Sequence, residues 1–384
     1  MTMKPMPALL LAFVVASSPA ISAPQVSLLR TPGGGIQPQV VVGEDGVTHL
    51  IYFAGAPEGG DVFYAKAVSG SEAFSKPVRV NSRANVAMAA GTIRGAQMAV
   101  GRNGRVHVVW NGNGKLLTGS HEKAPLFYAR LNDAGTAFEP ERNVITTAYG
   151  LDGGSSVAAD NAGNVYVVWH AQPGGQRGSE ATRGVFVAKS SDDGKTFAPE
   201  RQVNPTTSGV CPCCGLKAFA GPGGTVAVLY RLAQGGMNRD SSLLLSRDGG
   251  RKFDVVVTES WKVGSCPMSS SSLNAAKSGM LAAWETAGKV RGVLVDATAS
   301  KVQMSFAPEG EGKRKHPVIV PNSRGEVLMA WAEGTAWKKG GAVAWQVFDA
   351  DGKPTAEKGT RDGLPVWGLA TAFAKPDGSF VVVY

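Results

Sequence analysis

One pattern of glycine and apolar residues recurs seven times along this chain. In each copy a turn that contains glycine is followed by a run of β-branched and aromatic residues, which ends near a tryptophan or a tyrosine. The turn glycines, 46 to 61 residues apart, are Gly46, Gly104, Gly163, Gly224, Gly279, Gly325 and Gly378. A strand-rich repeat of this length is typical of one blade of a β-propeller, in which each blade has four strands.

The third repeat shows how one unit divides into strands. Its four predicted strands, from the innermost to the outermost, are 155–160, 164–170, 184–190 and 199–204. Apolar residues alternate along the second strand, with Val165, Val167 and Trp169 on one face. We therefore predict an all-β fold, a β-propeller of four-stranded blades, with seven blades preferred and six if the last unit merges with its neighbour. Residues 25–30 are strand-like and are expected to close the ring by pairing with the last repeat.

The first residues indicate an export signal. A positively charged start precedes an apolar core at 8–16, and small residues follow as far as Ala23. This core is shorter than the roughly 20 residues that a membrane-spanning helix needs. We expect a signal peptide over 1–23 and a single propeller domain over 24–384. The mature protein is then expected to be periplasmic or secreted.

The composition adds a modest positive charge. The chain contains 39 Lys and Arg against 30 Asp and Glu, a formal charge of +9, and loss of Lys4 with the signal leaves +8. The basic residues are scattered apart from 313–315, so we interpret the charge mainly as a solubility feature. We expect no nucleic-acid partner, no transmembrane segment in the mature chain and a monomeric protein.

The predicted turn between the third and the outer strand carries a sharper motif. Residues 190–197 and 246–253 fit Ser-x-Asp-x-Gly-x-x-aromatic, and 131–138 is a degenerate copy. The motif positions are Ser190, Asp192, Gly194 and Phe197 in one copy and Ser246, Asp248, Gly250 and Phe253 in the other. The aspartate can bind backbone N–H groups of the turn, the glycine takes the left-handed conformation, and the aromatic ring anchors the loop. We therefore predict a structural role for all of these residues.

This motif resembles the Asp-box, or bacterial neuraminidase repeat, of sialidase-like β-propellers. In true sialidases three arginines bind the substrate carboxylate, a tyrosine assisted by a glutamate is the nucleophile, and an aspartate transfers a proton. Residues 29–32, where the first arginine is expected, read Leu-Arg-Thr-Pro and do not match that family's pattern, so the usual catalytic set is not recognisable. Our leading hypothesis is an exported propeller that binds a glycan, or another envelope or extracellular ligand, in its central funnel. A sialidase-type exo-glycoside hydrolase is the first alternative.

A propeller brings segments that are distant in sequence together at one mouth of its axis. The loops that enter innermost strands and those that leave second strands share this mouth, which predicts a ring of polar residues there. The ligand-binding candidates are Arg94, Asp152, His170, Arg231, Glu285 and His316, and Asn111 and Glu333 occupy further ring positions. For each of them the alternative is an exposed loop residue or a hydrogen bond between blades.

The four cysteines occupy equivalent places before two successive repeats. They are Cys211, Cys213 and Cys214 before the fourth repeat and Cys266 before the fifth. In an exported protein two disulfides are expected, and we prefer Cys211–Cys214 with Cys213–Cys266 because a bond between adjacent cysteines is strained. The second interpretation is a metal site, in which thiolates with Met268 and His316 bind Cu(I), or thiolates with imidazole bind Zn²⁺. A redox-active disulfide is the third, so a periplasmic copper or thiol-redox protein is the second functional alternative.

Overall fold

The computed structural model describes Met1 and residues 26–384, except 92, 121–122 and 297–300. Residues 2–23 of the predicted signal peptide lie outside this part of the chain.

The strands in chain order are β1 (Val26–Leu29), β2 (Ile36–Val42), β3 (Thr48–Ala56), β4 (Gly59–Ala67), β5 (Val78–Arg79), β6 (Gln97–Val100), β7 (Val106–Asn111), β8 (Leu126–Arg130), β9 (Arg142–Asn143), β10 (Ser156–Ala159), β11 (Val165–Ala171), β12 (Gly184–Ser190), β13 (Arg201–Gln202), β14 (Gly209–Val210), β15 (Lys217–Ala220), β16 (Val226–Ala233), β17 (Ser241–Ser246), β18 (Asp254–Glu259), β19 (Ser272–Ala276), β20 (Gly279–Thr286), β21 (Lys289–Asp296), β22 (Val302–Phe306), β23 (Arg314–Pro321), β24 (Val327–Glu333), β25 (Gly341–Phe348), β26 (Pro354–Leu364), β27 (Thr371–Ala374) and β28 (Phe380–Val383). The described helical segments are α1 (Gly114–Thr118) and 3-10 turns at Pro32–Gly34, Arg102–Gly104, Pro173–Gly175, Glu180–Thr182 and Pro222–Gly224.

Seven sheets around one axis form a seven-bladed β-propeller. Blade 1 is β2–β5, blade 2 is β6–β9, blade 3 is β10–β13, blade 4 is β15–β18 with β14 added, blade 5 is β19–β22, blade 6 is β23–β26, and blade 7 is β27, β28 and β1. Neighbouring strands within each of the first six blades are antiparallel, as in blade 3. The predicted all-β propeller is confirmed, with seven blades rather than six. Within the described residues, no helix has the length and apolar character needed to cross a lipid bilayer.

Strand β1 closes the ring. It pairs in parallel with β28, so that Val26 lies beside Phe380 and Leu29 beside Val383. The N–H group of Tyr384 donates to the carbonyl oxygen of Leu29 at 3.0 Å and extends the pairing to the last residue. The predicted pairing of residues 25–30 with the last repeat is therefore confirmed for its described part. The seventh blade has three strands rather than four.

Tryptophans at the ends of second strands fill the gaps between blades. Trp110 packs between blades 1 and 2 and Trp169 between blades 2 and 3, and both are fully buried. Trp284 and Trp331 have the same place between blades 4 and 5 and between blades 5 and 6. Removal of one such side chain from a core typically costs about 3–5 kcal/mol. These four aromatic rings therefore stabilise the ring of blades, and they do not line its mouth.

The two complete Asp-boxes are held by the same hydrogen bonds. In blade 3 the Ser190 hydroxyl donates to Asp192 at 2.7 Å, and the N–H group of Thr196 donates to the same carboxylate at 2.9 Å. In blade 4 Ser246 donates to Asp248 at 2.7 Å. These bonds favour the ionised carboxylate, and they hold the pKa of Asp192 well below its usual range.

Each complete box also contacts the preceding blade. Arg142, from the outer strand of blade 2, donates to the carbonyl oxygen of Gly194, and Arg201 of blade 3 donates in the same way to Gly250. The two guanidinium groups lie 5.6 and 5.8 Å from the ring centroids of the box phenylalanines. The boxes therefore lie where they join neighbouring blades at the outer part of the sheets.

Replacement of the box aspartate tests the structural role predicted for this motif. Asp192→Ala removes hydrogen bonds to the turn, each worth about 0.5–1.5 kcal/mol net, so a loss of about 1–2 kcal/mol is expected. Urea unfolding followed by tryptophan fluorescence measures it. The matched control is Asp133→Ala in the degenerate copy, where the exposed carboxylate binds Arg105 rather than its own turn. Equal effects of the two substitutions would contradict the structural role of the box.

Candidate functional site

An axial channel of about 450 Å³ passes between the blades. It is lined by the innermost strands β2, β6, β10, β15, β19, β23 and β27. The loops before these strands and the loops after the second strands meet at one mouth of the channel. This is the mouth at which the sequence places the ring of polar residues.

The segment before β6 narrows the mouth. Ile93 lines the channel together with Gly154 and Gly215, which precede β10 and β15. Gly154 has to lack a side chain, because a Cβ atom there would overlap the carbonyl oxygen of Ile93. Blade 2 therefore covers part of the mouth and positions the next residue, Arg94, at its edge.

Arg94 and Asp152 form an ion pair between blades 2 and 3. Nη2 of Arg94 lies 2.6 Å from Oδ1 of Asp152, and Nε donates to the Asp152 carbonyl oxygen at 2.7 Å. Nη1 donates to the carbonyl oxygen of Ala90, also at 2.7 Å. The side chains are 23% and 44% exposed. The pair is therefore accessible from the mouth, while its two charges compensate each other.

Three cysteine sulfurs meet where the chain enters blade 4. The Sγ atom of Cys211 lies 3.4 Å from that of Cys213 and 3.6 Å from that of Cys214, and the three atoms are within 4.8 Å of one another. These three residues are termed the cysteine cluster. Cys211 and Cys214 are buried and Cys213 is half-buried, whereas Cys266 is exposed.

The preferred disulfide pairing is absent from this structure. None of the four cysteines is in a disulfide bond, and Cys266 lies outside the cluster. Equivalent repeat positions place Cys266 and the cluster in corresponding loops, but they do not fix the direction of the side chains. The cluster itself arises within one tight turn, where the spacing of Cys211, Cys213 and Cys214 turns three sulfurs toward one another.

A negative charge is favoured at one member of the cluster. Burial opposes a thiolate at Cys214, but hydrogen bonds from the Cys211 and Cys213 thiols hold the pKa of Cys214 well below its usual range. The Arg231 guanidinium acts in the same direction. Hydrogen bonding to the other two sulfurs, together with burial, raises the pKa of Cys213. Within the cluster a negative charge is therefore favoured at Cys214 over Cys213.

Arg231 and Glu285 form a buried pair beside the cluster, with side chains 5% and 2% exposed. The closest charged atoms, Nη2 of Arg231 and Oε2 of Glu285, are 3.8 Å apart. Arg231 also donates to the carbonyl oxygens of Arg239, at 2.7 Å, and of Glu285. Burial raises the pKa of Glu285. Because its donors already serve protein groups, Arg231 is not placed to clamp a substrate carboxylate.

His170 lies against the loop that carries the cluster. Its Nε2 donates to the carbonyl oxygen of Cys214 at 3.2 Å, and its Nδ1 accepts from Nη1 of Arg183 at 3.4 Å. Arg183 also donates to the carbonyl oxygen of Gly150 at 2.6 Å. Burial lowers the pKa of His170 to about 4 and also lowers the pKa of Arg183. His170 is therefore a neutral group whose two nitrogens are both in use.

His316 is buried between the channel and a small cavity. Its Nδ1 accepts from the N–H group of Ser270 at 3.2 Å and lies 3.1 Å from the Ser270 hydroxyl. Burial lowers the pKa of His316 to about 3. The small cavity, also bordered by Met268, Trp337 and Trp367, is distinct from the turn that forms the cysteine cluster.

The ring residues therefore separate into two groups. Arg94 and Asp152 are partly exposed at the mouth, whereas His170, Arg231, Glu285 and His316 are buried around or near the cysteine cluster. The further ring positions tie strands together, with Asn111 donating to the carbonyl oxygen of Gly153 at 3.0 Å and Glu333 lying 3.8 Å from Arg314.

Trp337 was not singled out by the sequence. It is 55% exposed in the loop after β24, and its ring lies edge-on to Trp367 with centroids 4.6 Å apart. A Cβ atom on Gly91 would lie 2.9 Å from Nη1 of Arg94 and 3.4 Å from the Trp337 ring, so these two side chains flank the same glycine. The sequence feature that could have identified Trp337 is its place in a polar loop just after the ring position Glu333. Trp337, Arg94 and Asp152 are termed the mouth surface.

A lysine crosses the channel below the mouth. Nζ of Lys217, on blade 4, donates to Oε1 of Gln97 on blade 2 at 2.9 Å, and the same oxygen accepts from Gln39 of blade 1 at 2.8 Å. Burial lowers the pKa of Lys217 to about 8. These polar side chains bridge the channel. A ligand at the mouth would therefore contact them if it extended along the axis.

Comparison with known proteins identifies the fold. No family model and no curated protein matches the sequence. The structure is similar to an α-L-arabinanase of Penicillium chrysogenum complexed with arabinobiose, with 13% identity, 85% of this chain and 98% of the other covered, and a TM-score of 0.55. It is also similar to an α-L-arabinofuranosidase of Fusarium graminearum, with 11% identity, coverage of 85% and 98%, and a TM-score of 0.55.

An intramolecular trans-sialidase of Ruminococcus gnavus has the same fold as well. The identity is 11%, the aligned region covers 83% of this chain and 95% of the other, and the TM-score is 0.53. At such identities the likeness concerns the fold alone. The β-propeller fold expected from the resemblance to sialidase-like propellers is therefore confirmed.

Proposed function

We propose that this protein is an exported propeller that binds a saccharide at the mouth surface. The observation that carries the proposal is the exposed ring of Trp337 beside the accessible Arg94–Asp152 pair. The flat face of an indole packs on the C–H face of a sugar ring, while an adjacent charged pair offers donors and acceptors to its hydroxyl groups. Similar solved structures act on or bind saccharides, which supports this class of ligand.

The charge balance of the mouth surface favours a neutral saccharide over a sialic acid. Each nitrogen of the Arg94 guanidinium already donates to a protein oxygen, and Asp152 neutralises its charge. Arg231 is buried against Glu285. A carboxylate ligand would therefore have to displace Asp152, whereas sugar hydroxyl groups can share the remaining donors and acceptors of the pair.

Isothermal titration with arabino-oligosaccharides, neutral hexose oligosaccharides and sialyllactose tests the proposal. Trp337→Ala is expected to weaken binding of a neutral oligosaccharide about tenfold, which corresponds to about 1.4 kcal/mol. Val302→Ala, which trims an exposed apolar side chain on the outer strand of blade 5, is the matched control and is expected to change nothing. Absence of binding across the panel, or binding that Trp337→Ala leaves unchanged, would refute the mouth surface as the site.

Hydrolysis is the alternative at the same place. Fluorogenic arabinosides and sialosides measure it directly, and Asp152, the accessible carboxylate of the pair, is the residue to replace. Turnover that is lost in Asp152→Asn would extend the proposal from saccharide binding to glycoside cleavage. Intact substrates at high protein concentration would restrict the proposal to binding.

A second candidate function is metal binding or thiol redox chemistry at the cysteine cluster. The specific observation in its favour is that three sulfurs lie within 4.8 Å of one another. Copper and zinc are the ions whose preference for thiolates fits this donor set. Metal analysis of the protein as purified, combined with thiol titration under denaturing conditions, separates a metal centre from a disulfide or from free thiols.

A further inference from the structure

We infer that the cysteine cluster binds one Cu(I) ion through three thiolates and without a histidine ligand. This inference rests on the second candidate function, metal binding at the cluster, and it specifies the ion and the ligand set. It is independent of the proposed saccharide site, because Trp337, Arg94 and Asp152 supply none of the sulfurs.

The spacing of the sulfurs suits a single ion among them. An ion about 2.3 Å from each of three sulfurs holds them about 4 Å apart. The two S–S distances from Cys211 are 3.4 and 3.6 Å. Each sulfur therefore has to move outward by only a few tenths of an ångström. Cys211, Cys213 and Cys214 belong to one turn, so the site does not depend on a movement of whole blades.

Among the described residues, no histidine, carboxylate or further cysteine joins the three sulfurs as a fourth ligand. His170 uses Nε2 to donate to the Cys214 carbonyl and Nδ1 to accept from Arg183. His316 accepts from the Ser270 N–H group at Nδ1, which places its proton on Nε2. Neither imidazole therefore presents a free lone pair to the cluster. Cys266 is exposed and outside the group.

This ligand set discriminates between the two candidate ions. Structural Zn²⁺ sites are almost always tetrahedral with four protein ligands, which the cluster lacks. Cu(I) is softer, prefers sulfur, and is stable with fewer ligands. Three sulfurs in one buried turn are therefore a better match to Cu(I) than to Zn²⁺.

The charge around the cluster fits the complex. Three thiolates around one Cu⁺ give a complex with a charge of −2, and binding releases the protons that the thiols carried. The Arg183 guanidinium near Cys211 supplies a compensating positive charge, whereas the charge of Arg231 near Cys214 is shared with Glu285. The hydrogen bonds of Arg183 go to carbonyl oxygens and to His170 rather than to a carboxylate. Asp152 also acts on Arg183, but that carboxylate is paired with Arg94, so the positive charge of Arg183 helps to balance the thiolates.

The test uses the reduced full chain and Cu(I) supplied anaerobically as its acetonitrile complex, in competition with bicinchoninate. We expect one copper per chain and an X-ray absorption spectrum with three sulfur neighbours and no nitrogen neighbour. Cys213→Ser, at the least buried cysteine of the cluster, is expected to lower the affinity by more than the roughly 10–100-fold typical of an outer-shell change. Cys211→Ser and Cys214→Ser are expected to do the same.

Two variants are matched controls, and circular dichroism melts confirm that every variant is folded. Cys266→Ser removes the exposed cysteine and His316→Gln removes the imidazole that the sequence analysis names as a candidate ligand, and neither should alter the affinity or the spectrum. A nitrogen neighbour that disappears in His316→Gln would overturn the three-sulfur assignment. Zn²⁺ bound in preference to Cu(I) would overturn this inference while the metal-binding function stands. If neither ion binds although all four thiols titrate, the inference and that function both fail, and the saccharide titrations are unaffected.

Discussion

Acidification from pH 7 to pH 5 is expected to destabilise this protein by several kcal/mol. Burial lowers the pKa to about 4 for His49 and His170, and to about 3 for His107 and His316. In the unfolded chain each imidazole titrates near 6.5. Between pH 6.5 and about 4 the unfolded chain therefore binds more protons than the folded chain. The contribution of these imidazoles to the free energy of unfolding is complete above pH 6.5 and is lost as the pH falls.

The size of this effect is comparable with the whole stability of a domain. At pH 5 this difference in proton binding lowers the free energy of unfolding by about 2 kcal/mol for each histidine. The four histidines together approach the free energy of unfolding of an ordinary domain, about 5–15 kcal/mol. Glu285 acts in the opposite direction because burial raises its pKa, but it is a single group. Carboxyl groups with lowered pKa values contribute only at more acidic pH.

Urea unfolding at pH 7.5, 6.5, 5.5 and 5.0 measures this loss. His107 offers the cleanest variant, because Nδ1 contacts the Tyr128 hydroxyl at 2.7 Å and a glutamine can keep a hydrogen bond there. His107→Gln should reduce the loss between pH 7.5 and 5.0 by about 2 kcal/mol, whatever its effect at neutral pH. A free energy of unfolding that stays constant between pH 7.5 and 5.0 would show that these imidazoles are not neutral in the folded protein.

Glu285→Ala is expected to lower the free energy of unfolding by about 3–5 kcal/mol at pH 7, because it leaves a buried charge without its partner. Arg231 would remain 5% exposed, without the carboxylate that lies 3.8 Å from its Nη2 atom. The substitution also removes the acceptor for the N–H group of Gly288, which donates to Oε1 at 2.8 Å. Urea unfolding followed by tryptophan fluorescence measures the loss.

A surface pair provides the matched control for this substitution. Lys252 and Asp254 are 3.2 Å apart and 77% and 52% exposed, so Asp254→Ala is expected to cost no more than about 1 kcal/mol. Replacement of both buried partners, Arg231→Met with Glu285→Leu, should recover much of the stability lost in Glu285→Ala, because no unpaired charge remains. Equal effects of Glu285→Ala and Asp254→Ala would contradict the buried pair.

The blades were predictable because their signals act over a few residues. A glycine turn followed by alternating apolar residues specifies a hairpin, and the sequence contains seven such hairpins. The closing strand β1 is equally recognisable as a strand-like segment without a partner of its own. Its parallel pairing with β28 and the three-stranded form of the seventh blade were not predictable, because they depend on how the two ends of the chain meet.

The positions of the site residues along the chain were predictable, but the burial and the pairing of their side chains were not. Repeat position placed Arg94 and Asp152 at the mouth and Cys211, Cys213 and Cys214 near one another. It also placed Arg231 among the candidate ligands, although the structure buries that side chain against Glu285. Sequence position gives the loop in which a residue lies but not the direction of its side chain. Cys266 is exposed and lies outside the cluster, although its loop occupies the equivalent place in the next repeat.

By itself the sequence determined the propeller, its seven repeats, the Asp-box turns and the loops that meet at the mouth. These features follow from strand periodicity and turn chemistry, which depend on neighbouring residues in the chain. The tertiary structure decided which charges are buried in pairs, which cysteines share a site, and that Trp337 lies exposed beside Arg94. Those outcomes depend on contacts between loops of different blades, and a single sequence carries no local signal for how distant side chains pack together.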